Sequence, residues 1–250
     1  MKKINTILAA VGALLMLSVT GANSVEFKAG VSANGMAAYA NAKETLKGVK
    51  TATQGTGRTT NAEAVLATSF ASIFAEISSD ELMGLGIGVS YAPEVADLNK
   101  ETREINTCTD GTRNTNTACV AKTGATADSG TTTVDAKIND MVSIYLTLPV
   151  GDSGAYVKAG YIQATLVTEE SLATGSKYED VDMTGTQIGG GYEGSLGDMA
   201  FWRAEGSYQM WEDMSANGSE SDNGTTDTTK NKIEAEIGSV TGSLSIGMKF

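Results

Sequence analysis

Four charged side chains have the types and spacing to act together: Lys158, Glu193, Arg203 and Glu205. Each lies on the small or polar side of a segment whose other side is apolar, so all four are expected on one inner surface. Opposite charges taken out of water must pair. Their chemistry is therefore charge pairing, read either as a structural network or as the gate of a narrow pore. Glu26, Lys28 and Lys249, near the two ends of the chain, are placed to extend it. A second pair, Cys108 and Cys119, lies in CTDGTRNTNTAC, a polar stretch that no core would accept. In an exported protein these two cysteines are expected to form a local disulfide. Two thiols without histidine cannot complete a tetrahedral zinc site. The acidic run from 212 to 230 holds Asp213, Glu220, Asp222 and Asp227, but its spacing matches no calcium loop. Histidine is absent from the chain, which removes the commonest general base and metal ligand. There is also no GxSxG elbow. No catalytic residue, metal or cofactor is expected, and the protein is not expected to be an enzyme.

The elements that must hold these residues are strands. In LMGLGIGVSYAPEV, Met83, Leu85, Ile87, Val89 and Tyr91 alternate with Gly84, Gly86, Gly88, Ser90 and Ala92. Period two means strand. One large apolar face opposite a nearly bare face is the pattern of a strand whose large side meets lipid. In MVSIYLTLPV, Val142, Ile144, Leu146, Leu148 and Val150 oppose Ser143, Tyr145, Thr147 and Pro149. In FWRAEGSYQM, Trp202, Ala204, Gly206, Tyr208 and Met210 oppose Phe201, Arg203, Glu205, Ser207 and Gln209. Leu85, Ile87, Val89, Ile144, Leu146, Leu148 and Trp202 are thus expected to face lipid. AYVKAGYIQATLV alternates up to Ile162 and Gln163, where its phase blurs and a bulge is expected. The run from 62 to 77 is apolar on both faces; its β-branched and aromatic residues favour strand over helix. Tyr91, Tyr161, Tyr192, Trp202, Tyr208 and Trp211 are candidates for aromatic girdles.

Eight strands result, near 25–40, 62–78, 82–96, 134–150, 154–168, 184–194, 199–212 and 231–250. The second, fourth and sixth connections are tight (SSDE, GDSG, GSLGD); the others are long and rich in Thr, Asn, Asp, Gly and Ser. Alternating short and long connections make an up-and-down barrel with its long loops at one end. The expected fold is an all-β, eight-stranded antiparallel transmembrane barrel. Lys2 and Lys3 followed by an apolar run from Ile7 to Val19 read as a signal peptide spanning 1–24, which leaves 25–250 as one barrel domain. No later segment reaches the ~20 apolar residues of a membrane helix. The formal net charge of −12 repels the phosphate backbone, and no nucleic-acid partner is expected.

Taken together, this layout resembles the small eight-stranded outer-membrane proteins of the OmpA transmembrane-domain, OmpX and OmpW type. The resemblance spans the mature chain as layout rather than residue identity. Its most specific element is the closing SLSIGMKF, where Leu244, Ile246, Met248 and Phe250 share a face. That pattern looks like the signal read by the outer-membrane assembly machinery. It departs from the usual form in having Met248 where an aromatic is common and Ser245 where glycine is common. The resemblance implies the bacterial outer membrane as location, with lipid and the assembly machinery as partners. It implies a structural or surface-interaction role carried by four long loops, which are open to an unidentified extracellular ligand. The alternatives are a narrow OmpW-like channel for small or hydrophobic molecules, and a soluble exported lipocalin-like barrel.

Overall fold

The computed structural model describes residues 25–46, 58–97, 101–108, 127–171, 178–218 and 232–250. The expected signal peptide, 1–24, lies outside them. Among the described residues ten strands form one sheet: β1 (Val25–Leu46), β2 (Arg58–Ser79), β3 (Leu85–Asp97), β4 (Glu101–Cys108) and β5 (Ala127–Pro149) come first. They are followed by β6 (Ala155–Ser171), β7 (Val181–Ser195), β8 (Ala200–Trp211), β9 (Met214–Asn217) and β10 (Lys232–Lys249). The wall runs β1, β2, β3, β5, β6, β7, β8, β10 and returns to β1, so eight antiparallel staves close a barrel. The short β4 lies against the first half of β5, and β9 continues β8 along β10. These two strands, and the extension of β1 to Leu46 and β5 back to Ala127, lie in stretches expected to be loop. Polar sequence there masked the pairing, because strands that rise beyond lipid need no apolar face.

Closure is made by the chain ends. β1 pairs with β10 from Lys28 opposite Lys249 to Thr45 opposite Lys232. One rung further, Phe27 N–H donates to the Phe250 carbonyl at 3.1 Å and Phe250 N–H to the Phe27 carbonyl at 2.8 Å. The last residue thereby completes the ring, and no long edge is left at this joint. The three tight turns sit at that same end; at the first, Met83 takes a left-handed φ of 58° directly before Gly84 at 75°.

The barrel is inside out. Val31, Ile73, Ile87, Ile144, Leu146, Val157, Ile188, Leu244 and Ile246 are all exposed on its outer surface, Leu244 by 68%. Ile87, Ile144 and Leu146 stand where a ligand-enclosing soluble barrel would have turned them inward. The lumen is filled in three levels, as the interior of an eight-stranded barrel permits. Charged and aromatic side chains occupy the short-turn end. Hydroxyls and amides follow: Ser32 with Ser245 at 2.8 Å, Asn34 with Ser72 at 3.0 Å and Ser243 at 2.6 Å, and Gln187 with Ser143. Gln209 accepts from Ser239 at 2.6 Å, and Ser239 accepts from the Trp211 indole at 3.1 Å. Above lies an apolar level of Met36, Ala92, Val95, Ala96, Ile138, Met141 and Ala164, against which Leu66, Phe70, Leu166 and Trp211 pack.

That upper level corrects two expectations. The phase of β6 blurs at Ile162 and Gln163 because the lumen itself turns apolar there: Ile162 and Ala164 are fully buried. The ladder irregularity lies on the partner strand, where β5 sets two residues, Asp140 and Met141, against the single Ala164 of β6, with Asp140 at a φ of 54°. Trp211, a girdle candidate, is turned inward to Ser239 and the apolar core rather than outward.

Candidate functional site

The lumenal charge layer is built by strands that bring a bare face inward. On β3, Gly86 and Gly88 leave room for what faces them: a Cβ on Gly86 would meet Thr147 and Glu76, and one on Gly88 the ring of Tyr145. On β7, a Cβ on Gly191 would come within 2.6 Å of the Tyr156 hydroxyl. The small faces read from the sequence are thus the space into which larger lumenal side chains fold.

Arg203 is the hub. Its guanidinium takes Glu76 with both terminal nitrogens, Nη1 at 3.1 Å and Nη2 at 3.2 Å. It also takes Glu193 through Nη2 at 2.7 Å and Nε at 3.3 Å. The planar fork of arginine suits two carboxylates at once. Glu193 in turn accepts from Lys28 at 2.8 Å, and Lys28 also reaches Glu26 at 3.1 Å. Lys158 pairs with Glu205 at 2.8 Å and lies 3.9 Å from the centroid of the Tyr145 ring. The rings of Phe74, Tyr156 and Phe201 surround Arg203, with centroids 5.0 to 5.5 Å from its guanidinium carbon. Side chains at the hub are almost dry, Arg203 being 2% and Glu76 3% exposed. Four acids (Glu26, Glu76, Glu193, Glu205) face three bases (Lys28, Lys158, Arg203), and the acid in excess is the exposed Glu26 at the rim. The layer has the form of a stopper: aromatic walls with a charge lattice across them.

The structure brings Glu193 to Arg203 and Lys158 to Glu205, and it adds Lys28 and Glu26. It divides the layer into two ion-paired sets rather than one continuous chain. Lys249 lies opposite Lys28 in register. Glu76 was missed from sequence. It is the one charged residue between Ala64 and Ser79, next to a tight turn at the end where the other charges gather, and that was the available signal.

A second feature lies in the wall. Among the described residues the β2–β3 ladder runs only from Ile73 opposite Tyr91 to Ser79 opposite Leu85. Beyond it, β1 still follows β2 as far as Arg58 and β5 still follows β3 as far as Asp97. Pro93, two residues past the last rung, has no N–H to offer a ladder, and the β3–β5 register shifts between Glu94 and Ala96. The seam is crossed by a side chain: Thr68 Oγ1 donates to the Val95 carbonyl at 2.9 Å. The upper apolar level lies directly behind it.

Of the residues expected to face lipid, Ile87, Ile144, Leu146, Leu148 and Trp202 are exposed on the outer wall, and Leu85 and Val89 are half-buried on the same face. Leu244, Ile246, Met248 and Phe250 are all exposed along β10 and just beyond it. Tyr192 and Trp202 stack with centroids 5.7 Å apart near the short turns, while the Tyr39 and Tyr208 hydroxyls meet at 3.0 Å further up. Cys119, Glu220, Asp222 and Asp227 lie outside the described residues. Cys108 ends β4, but its side chain also lies outside them, and so does the expected disulfide. Asp213 is exposed.

No protein-family model matches the chain, and no curated protein matches it. Among solved structures it is similar to the outer membrane protein OprG from Pseudomonas aeruginosa, with 14% identity over 92% of this chain and 98% of that one, at a TM-score of 0.44. It is similar also to the outer membrane protease OmpT from Escherichia coli, with 13% identity over 93% and 99% of the two chains, at a TM-score of 0.42. Ail, the attachment invasion locus protein of Yersinia pestis, shows 13% identity over 88% and 99%, at a TM-score of 0.37. The fold is decided by the chain's own geometry. A closed barrel of eight antiparallel staves, apolar outside and charge-paired within, is that of the small bacterial outer-membrane β-barrels.

Proposed function

We propose that this protein is an integral outer-membrane barrel with a non-conducting lumen, whose role is structural or lies in contacts made by its four external loops. The observation that supports this reading is the filling of the lumen at three successive levels, with the lowest closed by Arg203, Glu76, Glu193 and Lys28. Ion flow along the axis would have to displace paired, nearly dry charges, which is costly. Lipid surrounds the outer wall, and the exposed face of Leu244, Ile246, Met248 and Phe250 is the surface offered to the assembly machinery during insertion. A disulfide between Cys108 and Cys119 would brace the second external loop. The test is current through the refolded protein in planar bilayers. Absence of discrete conductance steps is expected, and a stable open level would overturn the reading.

The wall favours a second reading, lateral passage of small apolar molecules. Its specific support is the end of the β2–β3 ladder at Ile73 and Tyr91, beside an apolar rather than a charged level of the lumen. A route from the lumen sideways into lipid would bypass the charge layer altogether. Uptake of an uncharged apolar fluorophore by intact cells with and without the protein tests it: equal uptake would exclude it.

A further inference from the structure

We propose that the outer wall over β1, β10 and β8 is a two-part site for one phospholipid, whose acyl chain lies in a glycine-floored groove and whose zwitterionic, primary-ammonium head sits in a polar cavity above it. The groove comes first. Gly35 of β1 stands opposite Gly242 of β10, and Gly242 opposite Gly206 of β8, so three bare residues share one rung of the ladder. All three are exposed on the lipid side of the wall, and a Cβ on any of them would meet no atom within 4 Å. Ala37 and Ala67 extend this floor, and Val240 and Tyr208 stand beside it. The result is a groove of about 690 Å³ in a wall otherwise covered by large side chains such as Val31, Leu244 and Ile246.

Two tyrosines form a bar across the upper end of the groove. The ring of Tyr39 lies over Gly238, where an added Cβ would enter it, and its hydroxyl meets that of Tyr208 at 3.0 Å. Within such a pair one hydroxyl donates to the other and one proton is left over. On the exposed wall that proton is available to an ester carbonyl. Beyond the bar the same face carries a cavity of about 540 Å³, lined by Asn41 and Lys43 of β1, Asn61 and Glu63 of β2, Asp213, and Glu236 of β10. Asn41 follows Gly35 by six residues, about 20 Å along the strand and about 15 Å along an axis to which the strand tilts by roughly 40°. That is half of the ~30 Å hydrocarbon core of a bilayer. A lipid whose head occupies the cavity therefore ends its chain in the groove.

Charge selects the head. Glu234, which also lines the cavity, is engaged by Lys232 at 2.5 Å. Among the described residues Glu63, Asp213, Glu236 and Lys43 form no ion pair, which leaves three carboxylates around one ammonium. An anionic head would meet an excess of negative charge there. A head carrying both an ammonium and a phosphate matches both signs, its N–H groups donating to the carboxylates and its phosphate accepting from Lys43. A quaternary ammonium has the charge but no N–H to donate. Groove, bar and cavity thus correspond to the chain, the ester and the head of one amphiphile.

Native mass spectrometry tests both parts, on the refolded barrel released from micelles that hold equal amounts of phosphatidylethanolamine, phosphatidylcholine and phosphatidylglycerol with identical chains. The parent should retain one phosphatidylethanolamine in preference to the other two. Gly242→Leu and Gly206→Leu should remove that adduct, and circular dichroism should show both barrels intact, because each added Cβ stands in open space. Val157→Leu, on the outer wall of β6, should keep the adduct. Glu63→Gln and Glu236→Gln should each lower the preference over phosphatidylglycerol by roughly 1.4- to 5-fold, the worth of one exposed ion pair. Equal retention of the three lipids by the parent, or an adduct that survives Gly242→Leu, overturns the site. So does a preference untouched by both glutamine variants, which would leave the cavity without a part in binding. Loss of the adduct in Val157→Leu as well would reveal a general lipid coat and overturn the site too. A species of twice the barrel mass that Gly242→Leu abolishes would make the groove a contact between two copies of this chain, and would overturn the lipid assignment.

Discussion

Glu76→Ala is the substitution that most directly tests the charge layer. Glu76 supplies two of the four hydrogen bonds made to the Arg203 guanidinium, at 3.1 and 3.2 Å, and both side chains are almost entirely out of water. Without it, Arg203 keeps only Glu193, an acid it already shares with Lys28, and its guanidinium loses half of its hydrogen bonds beside Phe74, Tyr156 and Phe201. Removing one partner of a buried pair costs about 3 to 5 kcal/mol. Glu193→Ala should cost less, because Arg203 then keeps both bonds to Glu76 and Lys28 keeps Glu26 at 3.1 Å, whose side chain is 41% exposed. Converting the pair to Glu76→Leu with Arg203→Met removes both charges and should recover most of the loss. It should not recover all of it, since Glu193 is then left with Lys28 alone. The assay is urea unfolding of the barrel in lipid vesicles, followed by tryptophan fluorescence, for which Trp211 inside the lumen is well placed. A cost below about 1 kcal/mol for Glu76→Ala would refute a dry pair. A larger cost for Glu193→Ala than for Glu76→Ala would refute the assignment of Arg203 to Glu76.

The remaining expectations concern the outer wall, the bare face and the second loop. Leu146→Arg, on the outer face of β5, should destabilise the barrel in vesicles by about 2 to 4 kcal/mol if its side chain lies at the bilayer midplane, and full tolerance in the same unfolding assay would contradict that face. Gly88→Val puts a branched side chain into the ring of Tyr145; a loss of about 1 to 3 kcal/mol is expected, and unchanged stability would show that the ring is elsewhere. Thiol titration of oxidised protein should find Cys108 and Cys119 unreactive, and their reduction should loosen the loop while heat stability of the barrel persists; two titratable thiols would disprove the bridge.

How far the sequence reaches is clearest where prediction and structure part. Period two identifies the inner and outer faces of β3, β5 and β8 because the two environments differ in polarity at every step, and Ile87, Leu146 and Trp202 stand outside as that pattern requires. The same rule fails on β6 above Tyr161, where Ile162 and Ala164 face an apolar lumen and the contrast vanishes. It also says nothing about partners. Glu193 and Arg203 are opposite one another on adjacent strands, so their pairing follows from counting out from a tight turn. Lys158 and Glu205 are harder, since β7 lies between them, yet both stand close to short turns at one end. Glu76 and Arg203 come from β2 and β8 and meet across the lumen, a contact fixed by barrel width rather than by local register. The β2–β3 seam is less legible still. It arises from a proline, two register shifts and one residue in the left-handed region acting at the same height, and only the proline leaves a mark in the sequence. Local pattern specifies which way a side chain points; closure of the barrel decides what it meets there, and both the charge hub and the seam are products of closure.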